Sequence, residues 1–586
     1  DLGTTTDIIS LFQDSYGIIY VGTRGNGLFT INPEQRIMKQ HRFGTKQHSG
    51  NGNSEHIYKI TEDYSGNIWV STSDAGIFVS TDRLQSFINL SKNEAAGGNV
   101  LINNNIRYIF EDRQHNIWTS SFHAGVNLLV NSKQIFSTYS QLNNQPDLDV
   151  NSVTSIAQDT DGNLWVGTDG GGLKLMDKSR RHVETFGPDR NGKLRISDNT
   201  VMSLLADSRN NLWVGTFKDG IIKINLKTLE HQYFKTGDSS GLLKDNFIPA
   251  IIEDAEGKIW FGTNGQGISV YDEASHSAET YSFVSDRTSN QIANNWVSGL
   301  MCDSDNNIWI ATTWGVSRFS QRTKQFTNYF HSDTAQRSLS SNITHCVFQS
   351  SDGAIWIGTR KGLNKLQTDG QFKVFTVRDG LPDNAVNAIE EDADGNLWIS
   401  TNRGLCRMSK EGGNVVVFSI ADGLSSNEFM RNASFCGVDG EMFFGSANGL
   451  NSFMPADAIT TEHCDKPLIT SFAIFNRQVR PGDVTDNGTL LTNAVWNTDT
   501  ITLSHTDNSF SFGFASIDFI SPGKTAYQYR MDGFDNQWNS VVAGQRSVTY
   551  TNLKYGNYTF RIRASKHAGD WTDSQSMHII IKPPFY

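Results

Sequence analysis

The sequence predicts an all-β protein. One complete seven-bladed β-propeller and part of another, built of four-stranded blades, are followed by an Ig-like β-sandwich. Three observations carry this. A unit reading roughly N-x-V-x-x-I-x-x-D-x-x-G-N-[LI]-W-[VI]-G-T-x-x-G-[LI] recurs ten times, with its aromatic at Tyr20, Trp69, Trp118, Trp165, Trp213, Trp260, Trp309, Trp356, Trp398 and Phe443. Successive aromatics stand 42 to 49 residues apart, the length of one blade. After residue 456 the unit stops and a different pattern of alternating strands takes over.

Each unit accounts for four short strands. In the copy at 153–187, "VTSIAQD" and "LWVGT" alternate as two strands, and D-x-x-G supplies the positive φ of a tight hairpin. A glycine-bearing loop leads to "GLKLM", and "HVETFG" is the fourth strand. The period of 3.6 residues that a helical solenoid requires is missing. The Trp is placed to pack against the next blade, and the Gly after it lets neighbouring backbones approach.

Ten blades exceed what one ring holds, since propellers close with four to eight. The natural division is three plus seven. The tenth copy ends at "NGLNSFMPADAI" without an aromatic fourth strand, and an upstream strand such as "IFSTYS" (135–140) would complete it. The expected domains are three blades of a truncated propeller at 1–140, a seven-bladed propeller at 141–455, and the sandwich at 456–586. Within the last, "NLKYGNYTFRIRA" points Tyr558, Phe560 and Ile562 inward.

Composition narrows the function. Of 586 residues, 61 are acidic and 50 basic, a net charge of −11, so no nucleic-acid binding is expected of this chain. The five cysteines, Cys302, Cys346, Cys406, Cys436 and Cys464, lack zinc spacing and read as free thiols. No apolar run spans a membrane. The chain opens on "DLGTTTD" and ends on "IIIKPPFY", and it is expected to be a piece of something longer.

The repeat resembles the two-component regulator propeller repeat. The tail, with Tyr527, Tyr529, Trp538, Asn552, Leu553, Gly556 and Tyr558, resembles the Y_Y_Y domain. Their order is similar to the periplasmic sensor region of Bacteroides hybrid two-component systems. That resemblance implies two seven-bladed propellers, four blades of which lie outside this chain. It also implies a following membrane helix, histidine kinase, receiver and DNA-binding domain, and a homodimer through the Ig-like domain. The chain would be the periplasmic portion of an inner-membrane protein, itself not an enzyme.

Several chemical readings fail on context. "DTDGN" (159–163) and "DADGN" (392–396) evoke calcium loops, yet a strand starts two residues later and other copies drop the carboxylates. The recurring Asp159, Asp207 and Asp254 stand one residue too far from the Trp for a sialidase Asp box, and no carboxylate pair marks a glycosidase cleft. His123 and His345 read as structural. "GTNGQG" (262–267) joins two strands, not a strand and a helix, so it is no phosphate loop. No catalytic residue, metal ligand or cofactor is expected.

What varies between copies is the better guide. One face carries the loop after "GT" and the segment before each first strand. There stand Phe217, Lys218, Gln266, Asn295, Trp296, Trp314, Arg360, Lys361 and Arg403, with Asp169, Asp219, Asn264, Thr313, Asn342, Asn402 and Asn448 beside them. Aromatic faces stack on sugar rings while amides and cations bond hydroxyls and acidic groups. The expected ligand is an oligosaccharide from polysaccharide breakdown, and the four cations suit an acidic one. The rival readings are a secreted propeller lyase or glycosidase and a protein-interaction scaffold.

Overall fold

The computed structural model describes residues 7–43, 56–82, 84–93, 98–99, 101–130, 135–140, 148, 152–188, 194–284, 290–335, 338–458, 464–485, 488–519, 523, 525–542, 544–566 and 571–584. Repeats one and two are four-stranded antiparallel sheets, running from Ile8–Gln13 to Ile37–His41 and from Ile57–Glu62 to Ile88–Leu90. The third sheet has three strands, Ile106–Glu111, Ile117–Ser121 and Gly125–Leu129. Repeats four to nine are again four-stranded.

The tenth repeat takes its outer strand from upstream. Ser137–Tyr139 pairs with Gly449–Phe453, setting Thr138 opposite Asn451. Hydrogen bonds thus tie the last blade to the segment just before the first, and the ring closes. At the seam a Cβ on Gly445 would come within 2.5 Å of the Val153 carbonyl, so the seventh blade abuts the first with no room for a side chain. The N-terminal three blades form an open arc that exposes Ile8 and Leu11 at one end and Tyr108, Phe110 and Val126 at the other.

The recurring Asp does more than turn the chain. In the seventh repeat Asp303 Oδ1 accepts from the N–H groups of Asp305 and Asn307, while Oδ2 accepts from Trp309 Nε1 at 2.8 Å. The same bond links Asp63 to Trp69, Asp112 to Trp118, Asp159 to Trp165, Asp207 to Trp213, Asp254 to Trp260 and Asp392 to Trp398. One carboxylate therefore shapes the hairpin and satisfies the buried indole. Where the hairpin glycine is missing, Asn210, Asn306 and His115 take the positive φ. The indoles fill the blade interfaces; Trp165, for example, packs with Val201 and Leu212 of the following blade.

The C-terminal sandwich pairs a four-stranded sheet around Leu468–Ile474 and Ser509–Ala515 with a five-stranded sheet around Ala526–Asp532 and Gly556–Ser565. Phe512 and Phe560 stack between the sheets at 4.1 Å. Phe560 and Ile562 are buried as expected, while Tyr558 lies at the rim, its hydroxyl donating to the Lys554 carbonyl. All five cysteines are free.

Candidate functional site

Two sets of backbone bonds assemble the variable face. In several blades the N–H of the residue after the "GT" position donates to the segment before the same blade's first strand: Phe217 to Thr200, Arg360 to Ile343 and, after Ala311–Thr312, Thr313 to Trp296. The threonine hydroxyl then closes the loop from beneath, as Thr216 does on the Gly220 carbonyl and Thr359 on that of Gly362. The loops are thereby held rigid, and their side chains are left outward.

Most of the expected residues are exposed there. Phe217, Trp296 and Trp314 keep 50 to 55% of their surface open. Phe217 packs at 4.8 Å against Phe247. Trp296 lies between two loops: it bridges to Asn264 on one side, and its carbonyl takes the Thr313 N–H beside Trp314 on the other. Gly265 makes this possible, because a Cβ there would sit 3.3 Å from the indole nitrogen and its φ is 139°. Lys218, Gln266, Arg360, Lys361 and Arg403 are also exposed, and Arg403 approaches Asp383 at 3.6 Å.

Asn295 is a correction. Its Oδ1 accepts from the Phe283 N–H and its Nδ2 donates to the Phe283 carbonyl, so the carboxamide is used up inside the scaffold. Asn342 is used likewise, accepting from His331.

Inside the ring, the seven inner strands enclose a cavity of about 240 Å³, lined by residues including Leu300, Cys346, Ile389, Glu390, Asn432 and Ser434. Asn432 stands in a bulge of the seventh inner strand with φ 54°. Its Nδ2 donates to the Ser298 carbonyl at 2.7 Å and to that of His345 at 3.2 Å, on the fourth and fifth blades. Burial pushes the Glu390 carboxyl up to about 7, against a hydrogen bond from Ser434 that pulls it down. His345 Nδ1 lies 2.9 Å from the Val386 carbonyl, while its buried Nε2 has no partner. Burial and the charge of Arg431 pull that ring down to about 4, so it is neutral at neutral pH. None of Glu390, Arg431 and Asn432 was singled out by the sequence. Among the described residues, no cluster of three His, Cys, Asp or Glu side chains is placed to hold a metal ion.

Comparison with known proteins places this architecture. Residues 51–74, 147–170, 195–218, 242–265, 291–314, 338–361 and 380–403 match the two component regulator propeller, and 518–582 match the Y_Y_Y domain. The extracellular domain of a hybrid two-component system from B. thetaiotaomicron superposes with a TM-score of 0.78 at 27% identity, over 99% of this chain and 73% of that one. A histidine kinase of Formosa agariphila is 29% identical over 171 residues, 29% of this chain. The chain spans 12% of that relative's length. The repeats, the domain after them and the superposition agree: the chain carries two component regulator propeller repeats followed by a Y_Y_Y domain, and it is similar in fold to the extracellular domain of a hybrid two-component system.

Proposed function

We propose that this chain is the periplasmic sensing region of a hybrid two-component histidine kinase and that it binds an oligosaccharide released from a polysaccharide. Its units are three N-terminal blades, a seven-bladed propeller that comprises 141–455 together with the upstream strand Ser137–Tyr139, and the Ig-like domain at 456–586. The boundary expected at 140 thus moves ahead of that strand. The supporting observation is the pair of open indoles, Trp296 and Trp314, held on adjoining loops of the face whose other loops carry the exposed Lys218, Arg360, Lys361 and Arg403. Rigid aromatic platforms with amide and cationic neighbours suit sugar rings bearing hydroxyl and acidic groups. The ligand acts by favouring one arrangement of paired Ig-like domains over another, which requires different affinities for the two arrangements. The kinase beyond the membrane reads that arrangement and regulates glycan-utilisation genes.

Calorimetry with defined oligosaccharides tests this. Saturable heat without product release, weakened tenfold or more by Trp296→Ala and Trp314→Ala, is expected. Turnover of a polysaccharide by the chain would replace this reading with an enzymatic one.

A further inference from the structure

Two guanidinium groups flank His345 at one end of the ring axis, and none of the described residues neutralises either. Arg360 follows Thr359, which pairs across the ladder with Thr344, and its N–H donates to the Ile343 carbonyl at 3.0 Å. Arg431 precedes Asn432, whose Nδ2 reaches the His345 carbonyl at 3.2 Å. One cation thus comes from the blade of His345 and the other from the bulge of the seventh blade. Both side chains are exposed, and neither has a carboxylate, carbonyl or ring partner among the described residues. Two other groups of cations are compensated: Arg209 and Lys223 share Glu273, and Arg530 and Arg561 share Asp532.

Partial burial lowers the proton affinity of Arg431, and the charge of Arg360 lowers it further. Two exposed cations of the same sign on one face, neither paired with a carboxylate among the described residues, favour a bound anion. His345 adds an independent indication. A carbonyl can only accept, so the proton of the neutral ring sits on Nδ1, facing Val386. The Asn387 carboxamide lies near the ring, but its Nδ2 is engaged by Asn402 and the Phe429 carbonyl, and Nε2 has no hydrogen-bond partner in a side chain only 2% exposed. Buried polar atoms are normally partnered, and an orphan beside two open cations marks a place built for a ligand.

We propose that Arg360 and Arg431 together receive one oxyanion carried on a sugar ring, a uronate carboxylate or a sulfate ester, while His345 Nε2 accepts from a neighbouring hydroxyl directly or through water. Paired guanidinium forks suit such groups, which offer two or three oxygens at once. This rests on the oligosaccharide reading above and names the chemical class of its ligand.

The test uses the whole 586-residue chain. Thermal melting and calorimetry are run with glucuronate, glucose 6-sulfate and glucose as probes. At least one acid is expected to raise the melting temperature where glucose does not, and the acid that does so identifies the oxyanion. Arg431→Gln and Arg360→Gln should each weaken that acid tenfold or more, while Lys410→Gln, another exposed cation, leaves it unchanged. Because Arg360 is exposed, its variant keeps the test valid if Arg431→Gln fails to fold. The proposal is overturned if both acids behave like glucose, or if the arginine variants bind them as the parent does. Neutral oligosaccharides binding where the acids do not would sink this proposal and leave the broader one standing. Arginine-dependent binding of glucuronate without binding of any oligosaccharide would do the reverse.

Discussion

Asn432 reaches across the ring axis to the Ser298 carbonyl, joining the seventh blade to the fourth at 2.7 Å. The same amide nitrogen also holds His345 on the fifth blade. One side chain therefore braces three blades where neighbouring contacts alone could not. Asn432→Ala should remove both bonds, leave buried carbonyls unmet and place alanine at positive φ. The expected loss is roughly 2–4 kcal/mol in chemical denaturation of the propeller. Asn432→Gly relieves the backbone strain and should recover about 1 kcal/mol of it. Equal stability of Asn432→Ala and the parent would show that the brace is idle.

Glu390 gives the propeller a pH dependence of defined sign. Its carboxyl is raised from 4.5 to about 7, mainly by burial, so the folded state holds a proton that the unfolded state releases. The stability this confers is full below pH 4.5 and is lost as pH rises through about 7. The nearby Cys346 thiol, pushed up to about 12 by burial, stays neutral throughout. Glu390→Gln should therefore stabilise the protein at pH 8 by about 3 kcal/mol and have little effect at pH 4.5. Denaturation curves of both proteins at the two pH values check this, and a difference that does not change with pH would refute it.

How much of this was legible follows from which letters repeat. The strand Ser137–Tyr139 was readable because the tenth copy visibly lacks its own aromatic strand. Asn295 was misread as ligand-facing because it was taken with the variable residues, although its Asn is itself a repeated letter. Asn246, Asn295, Asn342, Asn384 and Asn427 all accept from the backbone just after the preceding blade's fourth strand. Arg431 and Asn432 were missed, yet a spacing signal marked them. Phe429 stands 14 residues before Phe443, whereas Val386 stands 12 before Trp398. Two extra residues in an inner strand have nowhere to go but a bulge, here turned into the channel. Glu390 left no such mark, since its raised proton affinity comes from burial that only the closed ring creates.

Asp303 tests the double use of the recurring carboxylate. Asp303→Asn keeps an oxygen for the hairpin N–H groups but turns an amide donor towards the Trp309 N–H. Its cost should approach that of Asp303→Ala, about 2–3 kcal/mol, because bonds to a charged acceptor are the strong ones. Asp303→Ser should cost less, since Ser350 already serves Trp356 in the eighth repeat at 3.1 Å. Melting temperatures ordered Ser above Asn and Ala would support the dual role. A harmless Asp303→Asn would reduce the carboxylate to a turn residue.

The arc of three blades meets the Ig-like domain at a small, specific joint. Gln114, in the hairpin of the third blade, donates to Asp465 Oδ2 at 2.6 Å and to the Ile517 carbonyl at 2.7 Å. Beside it the ring of Trp118 meets that of Phe519 edge-on at 4.9 Å. In the complete blades the equivalent indole is covered by the next blade; here the Ig-like domain makes the contact. Under the sensor reading proposed above, these two contacts give a direct route from the propellers to the Ig-like domain. Together they are worth about 2–4 kcal/mol, one charge-assisted amide bond and one aromatic pair. The double variant Gln114→Ala with Phe519→Ala should release the joint without unfolding either partner. Hydrogen exchange is then expected to rise in peptides spanning 111–121 and 510–519 and to stay unchanged in the inner strand Thr344–Gln349. Unchanged exchange at all three places would mean that the contact does not hold the domains together, and the route would have to run through the segment near residue 456 instead.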